Sequence, residues 1–234
     1  MLIQDFHRNF KIGLDKIDSL GYPDIQPEEI DVFLNNNILK FINQRLYGNN
    51  PRGENFEETQ KRFDDLITLV KSDILTPIAF SSVFDKPNSA TVDIPTDYLH
   101  MINEEVDIQF NNCDNNQEYR RIRVIPITHD KYNDIIKDPF NKPNHNKVIR
   151  LGYDNKLELI SSTDSIILFY YIRYIRKPAS VRYGTIYPTP TTDVQCDLPE
   201  SVHQEILDLA ILDCLEKIES QRLGSSAELI KQME

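Results

Sequence analysis

The chain of 234 residues has no tryptophan, only three cysteines and seven glycines, and no long uncharged hydrophobic run. A membrane-spanning helix needs about 18 consecutive apolar residues, and no stretch approaches that length, so we expect no transmembrane segment. The first five residues also lack the basic and apolar regions of a secretory signal. We therefore expect a protein that is made and kept in a cytosol, or in a particle assembled there.

The cysteines are Cys113, Cys196 and Cys214, an odd number at wide spacing. No C-x-x-C pair and no nearby pair of histidines accompanies them, which argues against a metal site. The spacing predicts reduced thiols, with Cys214 as a small core residue on a helix.

The sequence also lacks the motifs that carry common chemistry. It has no G-x-G-x-x-G or G-x-x-x-x-G-K for phosphate, no G-x-S-x-G turn for a serine nucleophile, and five dispersed histidines. Glu104, Glu105 and Asp107 form an acidic cluster without the loop glycine or regular spacing of a cation site, which indicates a solvated turn. Asp64-Asp65 indicates an ordinary polar helix face. We expect no enzyme: no catalytic residue, no metal and no cofactor.

The formal charge of −11 is unevenly distributed. It opposes nucleic-acid binding, which depends on Lys and Arg replacing counterions. Residues 118–190 nevertheless carry 13 Lys and Arg against 7 Asp and Glu, a net charge of +6, while the remainder sums to −17. This is either a chance distribution on a solvated surface, or a device that steers one part of a subunit toward the opposite charge of a neighbour.

Helical spacing of apolar residues predicts helices over about 5–20, 27–48 and 56–75. Pro27 suits a first turn, and Gly48 is a good stop. A last helix follows a capping box formed by Asp197 and Glu200. Its wide apolar face predicts that it packs on the N-terminal helices.

The middle of the chain changes to the alternation of strands. Strands are predicted at 91–94, 106–110, 119–125 and 165–176, with a hairpin over 148–160 and a short helix at 129–137. The strand over 165–176 is apolar on both faces early and gains arginines late. It is therefore expected to begin buried and to end at a surface.

These elements predict an α+β fold. An N-terminal helical hairpin or bundle and a long C-terminal helix pack together, with a mostly antiparallel, β-rich insertion between them. The predicted domains are an N-terminal helical segment at 1–24, a helical bundle of 25–80 and 197–223, a β-rich domain at 81–196 with an extended loop near 178–196, and a tail at 224–234.

Basic and aromatic residues alternate in two places, which indicates an interaction surface. Stacking with charge could serve single-stranded nucleic acid, but the overall charge opposes that function, and a protein partner is favoured. The candidate interaction residues are Arg120, Arg121, Arg123, Arg173, Arg176, Lys177, Arg182, Tyr183 and Tyr187.

Several segments resemble proteins of one family. Residues 93–99 (DIPTDYL), 170–178 (YYIRYIRKP) and 197–210 (DLPESVHQEILDLA) resemble a strand–turn, a strand end and the final helix of head–tail connector proteins of tailed bacteriophages, including tail-tube adaptors. Residues 138–143 (DPFNKP), with the hairpin that follows, are most similar to ring proteins of crAss-like phages. The resemblance covers roughly residues 25–220.

The resemblance implies a structural virion protein that assembles in the host cytoplasm. Such a protein forms a homo-oligomeric neck ring, commonly of twelve copies, between the portal protein above and further neck or tail rings below. DNA would pass the lumen without sequence-specific binding, and no membrane is involved. Two alternatives stay open: another tail or baseplate adaptor, and a cytosolic enzyme with a site of dispersed carboxylates and histidines.

Overall fold

The structure, a computed structural model, describes residues 1–17, 25–47, 60–79, 86–111, 116–184 and 191–217. The helices in these ranges are α1 (Ile3–Ile17), α2 (Pro27–Tyr47), α3 (Gln60–Leu66), α4 (Tyr132–Lys137) and α5 (His203–Lys217). The strands are β1 (Val70–Leu75), β2 (Ile78–Ala79), β3 (Ser89–Asp93), β4 (Tyr98–Asn111), β5 (Gln117–Pro126), β6 (Val148–Tyr153), β7 (Lys156–Ile160) and β8 (Ser165–Arg176). The predicted α+β class is confirmed.

The chain divides into two compact units. Met1–Leu69 with Pro178–Glu234 forms one, here called the helical unit, and Val70–Lys177 forms the other, here called the sheet unit. Within the helical unit, α5 packs on both α1 and α2. The buried apolar side chains of α2 follow helical spacing, as the sequence predicts, and are Ile30, Leu34, Ile38, Phe41 and Ile42.

The predicted helix over 56–75 is wrong in its last part. After α3, a short 3-10 turn leads into β1, and Val70–Leu75 is a strand rather than a helix. This strand pairs antiparallel with β8, from Val70 opposite Ile175 to Leu75 opposite Tyr170. Long-range pairing with a strongly apolar strand therefore overrides the local helical spacing. Residues 56–59 lie outside the described residues.

The predicted capping box is also wrong. The last helix begins with a 3-10 turn over Glu200–Val202, preceded by Pro199, and no side chain caps this turn. The Asp197 carboxylate instead accepts a hydrogen bond from the backbone N–H of Ala179 at 2.9 Å. Glu200 accepts one from the amino group of Met1 at 2.8 Å. Both carboxylates thus bind neighbouring segments of the helical unit.

The eight strands form one mixed sheet in the order β1-β8-β4-β5-β6-β7-β3-β2. The pair β5–β6 is parallel, and the other neighbouring pairs are antiparallel. The edge strands β1 and β2 are separated in sequence only by residues 76 and 77. A flat sheet would place them about 34 Å apart, whereas three residue steps span at most about 11 Å. The sheet must therefore curl until its two edges approach each other.

The concave side of the curled sheet holds the core of the sheet unit. Every second residue of the long strands points inward, and the largest buried side chains there are Tyr170 and Tyr174. On the convex side, α4 covers β6 and β7, where Ile149, Leu151 and Ile160 form a second cluster with Tyr132 and Ile135. The convex side of the other strands carries the candidate site.

The structure also bears on the predictions about membrane segments and cysteines. In these ranges, no helix is both long and apolar enough to cross a membrane. Cys214 is buried on α5, as predicted, and both Cys214 and Cys196 are free thiols. Burial raises the pKa of the Cys214 thiol to about 11. Cys113 lies outside the described residues.

Candidate interaction surface

The convex side of β1, β8, β4 and β5 forms an exposed face of alternating basic, acidic and apolar side chains, here called the arginine–aromatic face. Directly opposed residues of neighbouring strands share a side of the sheet, so the strand register defines the face. Its members are Ser72, Ile74, Asn103, Glu105, Asp107, Gln109, Tyr119, Arg121, Arg123, Ile166, Phe169, Tyr171 and Arg173.

Large apolar side chains on this face are open to solvent. Ile74, Tyr119, Ile166 and Phe169 are between 45% and 65% exposed. Such residues scattered singly are ordinary, but here the register brings them onto one continuous sheet surface. A sheet surface that exposes several large apolar side chains among charged ones is typical of a protein contact site.

Arg121 is held rigidly at the centre of the face. Its Nε lies 2.8 Å from Asp107 Oδ1, and a terminal nitrogen lies 3.0 Å from Oδ2, so the guanidinium and carboxylate pair through two hydrogen bonds. The same guanidinium stacks 3.8 Å from the centre of the Tyr171 ring. An arginine fixed on both sides loses little conformational entropy when a partner binds.

The polar groups of the face surround a groove of about 420 Å³. Ser72, Asn103 and Arg173 lie at one end of it, and Tyr171 lies next to Ile74. The Arg173 Nε donates to Ser72 Oγ at 3.4 Å. Arginine and tyrosine are enriched at protein interfaces, because each combines a large contact area with hydrogen bonding.

The Arg121–Asp107 pair gives the face a measurable electrostatic signature. The hydrogen bonds from Arg121 hold the pKa of the Asp107 carboxyl below its usual value. Because the folded-state pKa is depressed, the stabilisation from this pair is present at neutral pH and is lost as the pH falls through the folded-state pKa. We expect Arg121→Gln to raise the pKa of Asp107 toward its ordinary value of about 3.9, measured by NMR titration of the side-chain carboxyl carbon. An unchanged pKa would show that the pair is not formed in solution.

The structure brings together three of the candidate interaction residues, Arg121, Arg123 and Arg173. Arg120 lies opposite the buried Ile108, so it belongs to the other side of the sheet, where its guanidinium stacks 5.5 Å from the Phe110 ring. At the end of β8, Arg176 is half-buried. Next to it, Lys177 is exposed, and its backbone N–H bonds to Asp97 O.

The remaining candidates belong to the helical unit or are not described. Arg182 is exposed, and its backbone pairs with Val194. The Tyr183 backbone N–H donates to the Asp31 carboxylate, and its ring stacks 4.8 Å from His7. Tyr187 lies outside the described residues.

The predicted solvated turn at Glu104, Glu105 and Asp107 is wrong, because all three residues lie within β4. Glu105 and Asp107 belong to the arginine–aromatic face, while Glu104 points inward and is buried. In the sequence, the alternation of polar residues with Val106, Ile108 and Phe110 indicates a strand. The structure extends this strand N-terminally to Tyr98. Among the described residues, no group of three or more His, Cys, Asp or Glu side chains could hold a metal ion.

Comparison with known proteins gives the chain a family. Residues 1–227 match the family model described as phage tail ring protein 3/4. The chain is also similar to ring protein 4/5 of Bacteroides phage crAss001, with 26% identity over 226 residues, which cover 90% of this chain and 91% of that protein. The resemblance stated from the sequence is therefore confirmed. The chain belongs to the phage tail ring protein 3/4 family, whose members are structural ring components of virions.

Proposed function

We propose that copies of this chain form a ring in the phage neck that joins the portal protein to the tail. DNA passes through the lumen without sequence-specific binding, and the chain has no catalytic role. The ring contains about twelve copies, by analogy with neck rings, and is assembled in the host cytoplasm before it becomes part of the virion. We also propose the domain limits predicted from the sequence, which fall after residues 24, 80, 196 and 223.

The observation that carries the proposal is the uncovered arginine–aromatic face on a chain of the ring family. A closed ring is built from heterologous contacts, in which one surface of a subunit meets a different surface of the next. The face supplies one such surface, with exposed Ile166 and Phe169 beside the fixed Arg121.

The distribution of charge between the units supports the same contact. The helical unit carries 12 Lys and Arg against 22 Asp and Glu, whereas the sheet unit carries 14 against 15. The net charges are thus −10 and −1. Two helical units therefore repel each other, whereas an acidic helical unit that docks beside Arg121, Arg123 and Arg173 of the nearly neutral sheet unit gains local attraction. The acidic total also suits a lumen that passes DNA without holding it.

The test is assembly of the full-length chain, alone and with its portal protein, measured by sedimentation velocity. We expect Arg121→Glu and Phe169→Ser each to raise the concentration needed for half-assembly by at least about tenfold, because they remove a charge contact and an aromatic anchor that the contact would bury. Lys131→Glu, an equal charge change at an exposed position outside the face, is the matched control. Rings that form equally well in both face variants would contradict the proposed role of the face.

A further inference from the structure

A loop of the sheet unit carries the most exposed large apolar side chain among the described residues. Residues 138–147, here called the Phe140 loop, connect α4 to β6, and Phe140 is 89% exposed. A phenylalanine in this position leaves most of its apolar surface in water, which is unfavourable relative to burial. This residue is not part of the arginine–aromatic face, so it needs a separate explanation.

The Phe140 loop is held in shape by its own hydrogen bonds. The Asp138 carboxylate accepts one from the Phe140 backbone N–H at 2.9 Å and another from the Asn141 side chain. Further along, Asn144 and Lys147 exchange two backbone hydrogen bonds of 3.0 Å. Because the loop is already ordered, a partner that buries Phe140 has little conformational entropy to overcome.

The helical unit has a surface on α2 with three exposed apolar side chains, Val32, Leu39 and Tyr47. Val32, Asn36, Leu39, Asn43 and Tyr47 are all exposed and recur every three or four residues, so they form one stripe, here called the α2 outer stripe. The opposite side of α2 is buried against the helical core. A helix that is apolar on two sides is typically buried between two layers, so the outer stripe is suited to a second layer supplied by a partner.

Charges of the Phe140 loop complement those at the N-terminal end of the α2 outer stripe, while the exposed Lys40 lies next to Leu39 further along the helix. Exposed Lys137 and Lys142 flank Phe140, whereas exposed Glu28 and Glu29 precede Val32 by one helical turn. The whole helical unit has a net charge of −10. Charge of this kind sets the orientation in which two surfaces dock.

We propose that the Phe140 loop of one copy docks on the α2 outer stripe of a second copy, with Phe140 packed over Val32 and Leu39. This inference rests on the proposed ring, because it specifies a contact between two of its subunits. The loop and the stripe are unlike surfaces in different units. The contact is therefore heterologous, which is the type of contact that can repeat around a ring.

Cysteine cross-linking tests this contact directly. We expect Phe140→Cys and Leu39→Cys proteins, mixed and oxidised, to give a covalent dimer, and the double variant to give a ladder of covalent oligomers. Each single variant alone, and the wild-type chain with its own three cysteines, provide the baseline. Rings that form with no cross-link above this baseline would overturn the docking proposal and leave the proposed function standing.

Substitutions on the two surfaces test how much the contact contributes to association. Phe140→Ser should weaken association by at least about 30-fold, which corresponds to about 2 kcal/mol for an anchor residue at an interface centre. Ile12→Ser, at an exposed apolar position on α1, is the matched control and should have little effect.

Lys142→Glu should also weaken association, and Glu29→Lys in the same chain should restore part of it. Equal association of the Phe140→Ser and wild-type chains would overturn the proposal. Absence of any wild-type oligomer, with or without the portal protein, would contradict the proposed function as well.

Discussion

Replacing Arg45 with methionine is expected to lower the free energy of unfolding by about 3–5 kcal/mol, because it leaves two carboxylates without their cation. The Arg45 Nε lies 2.9 Å from Asp65 Oδ2, and a terminal nitrogen lies 2.7 Å from each carboxylate oxygen of Glu205. Arg45 and Asp65 have side chains only 13% and 9% exposed. One side chain of α2 therefore binds both α3 and α5, and its loss destabilises the whole helical unit.

The matched control is Arg8→Met, which removes an exposed pair with Asp5 on α1. Such surface pairs contribute about 0–1 kcal/mol, so the same substitution should have a small effect there. Urea unfolding followed by tyrosine fluorescence is suitable because the chain has no tryptophan. A loss for Arg45→Met no larger than for Arg8→Met would show that the three-residue network is not formed.

Replacing Arg150 with methionine is expected to cost a similar amount, about 3–5 kcal/mol, in the sheet unit. Glu104 is only 7% exposed inside the curled sheet, where its Oε2 lies 2.7 Å from Arg150 Nε and accepts a hydrogen bond from the Tyr170 hydroxyl at 2.6 Å. The N–H of Arg150 Nε is not directed at an acceptor, so the Arg150–Glu104 contact acts chiefly through the attraction of opposite charges. Burial and the neighbouring Glu104 carboxylate raise the pKa of Tyr170, so its hydroxyl stays a hydrogen-bond donor.

Lys156→Met is the matched control for Arg150→Met. Lys156 lies on β7 in an exposed pair 3.9 Å from Asp93, and its loss should cost less than about 1 kcal/mol. Adding Glu104→Gln to Arg150→Met should recover part of the stability, since the buried negative charge disappears together with its partner. Strictly additive losses in the double variant would contradict the pairing of Glu104 with Arg150.

The elements that the sequence predicts well are those with a long, regular apolar period. The period of α2 and the strongly apolar β8 both appear in the structure close to their predicted limits. The prediction fails at Val70–Leu75, because a six-residue segment with apolar residues at both ends fits a helix end and an edge strand equally well. Only the partner strand β8, about a hundred residues later, decides between them.

The same limit applies to the interaction surface. The basic residues near 120 and 173 are visible in the sequence, but strand register decides that Arg121 and Arg173 share a face while Arg120 does not. Glu104 and Asp65 look like ordinary surface carboxylates, because the arginines that permit their burial lie 46 and 20 residues away in the chain. Buried ion pairs of this kind depend on tertiary contacts that no local pattern records.

Negative-stain electron microscopy of the chain, purified together with the portal protein of its own phage, tests the ring most directly. We predict closed rings of this chain bound coaxially to the portal, with a lumen wide enough for a DNA duplex about 20 Å across. Portal particles without added density, together with a chain that sediments only as a monomer, would contradict a structural role in the phage neck.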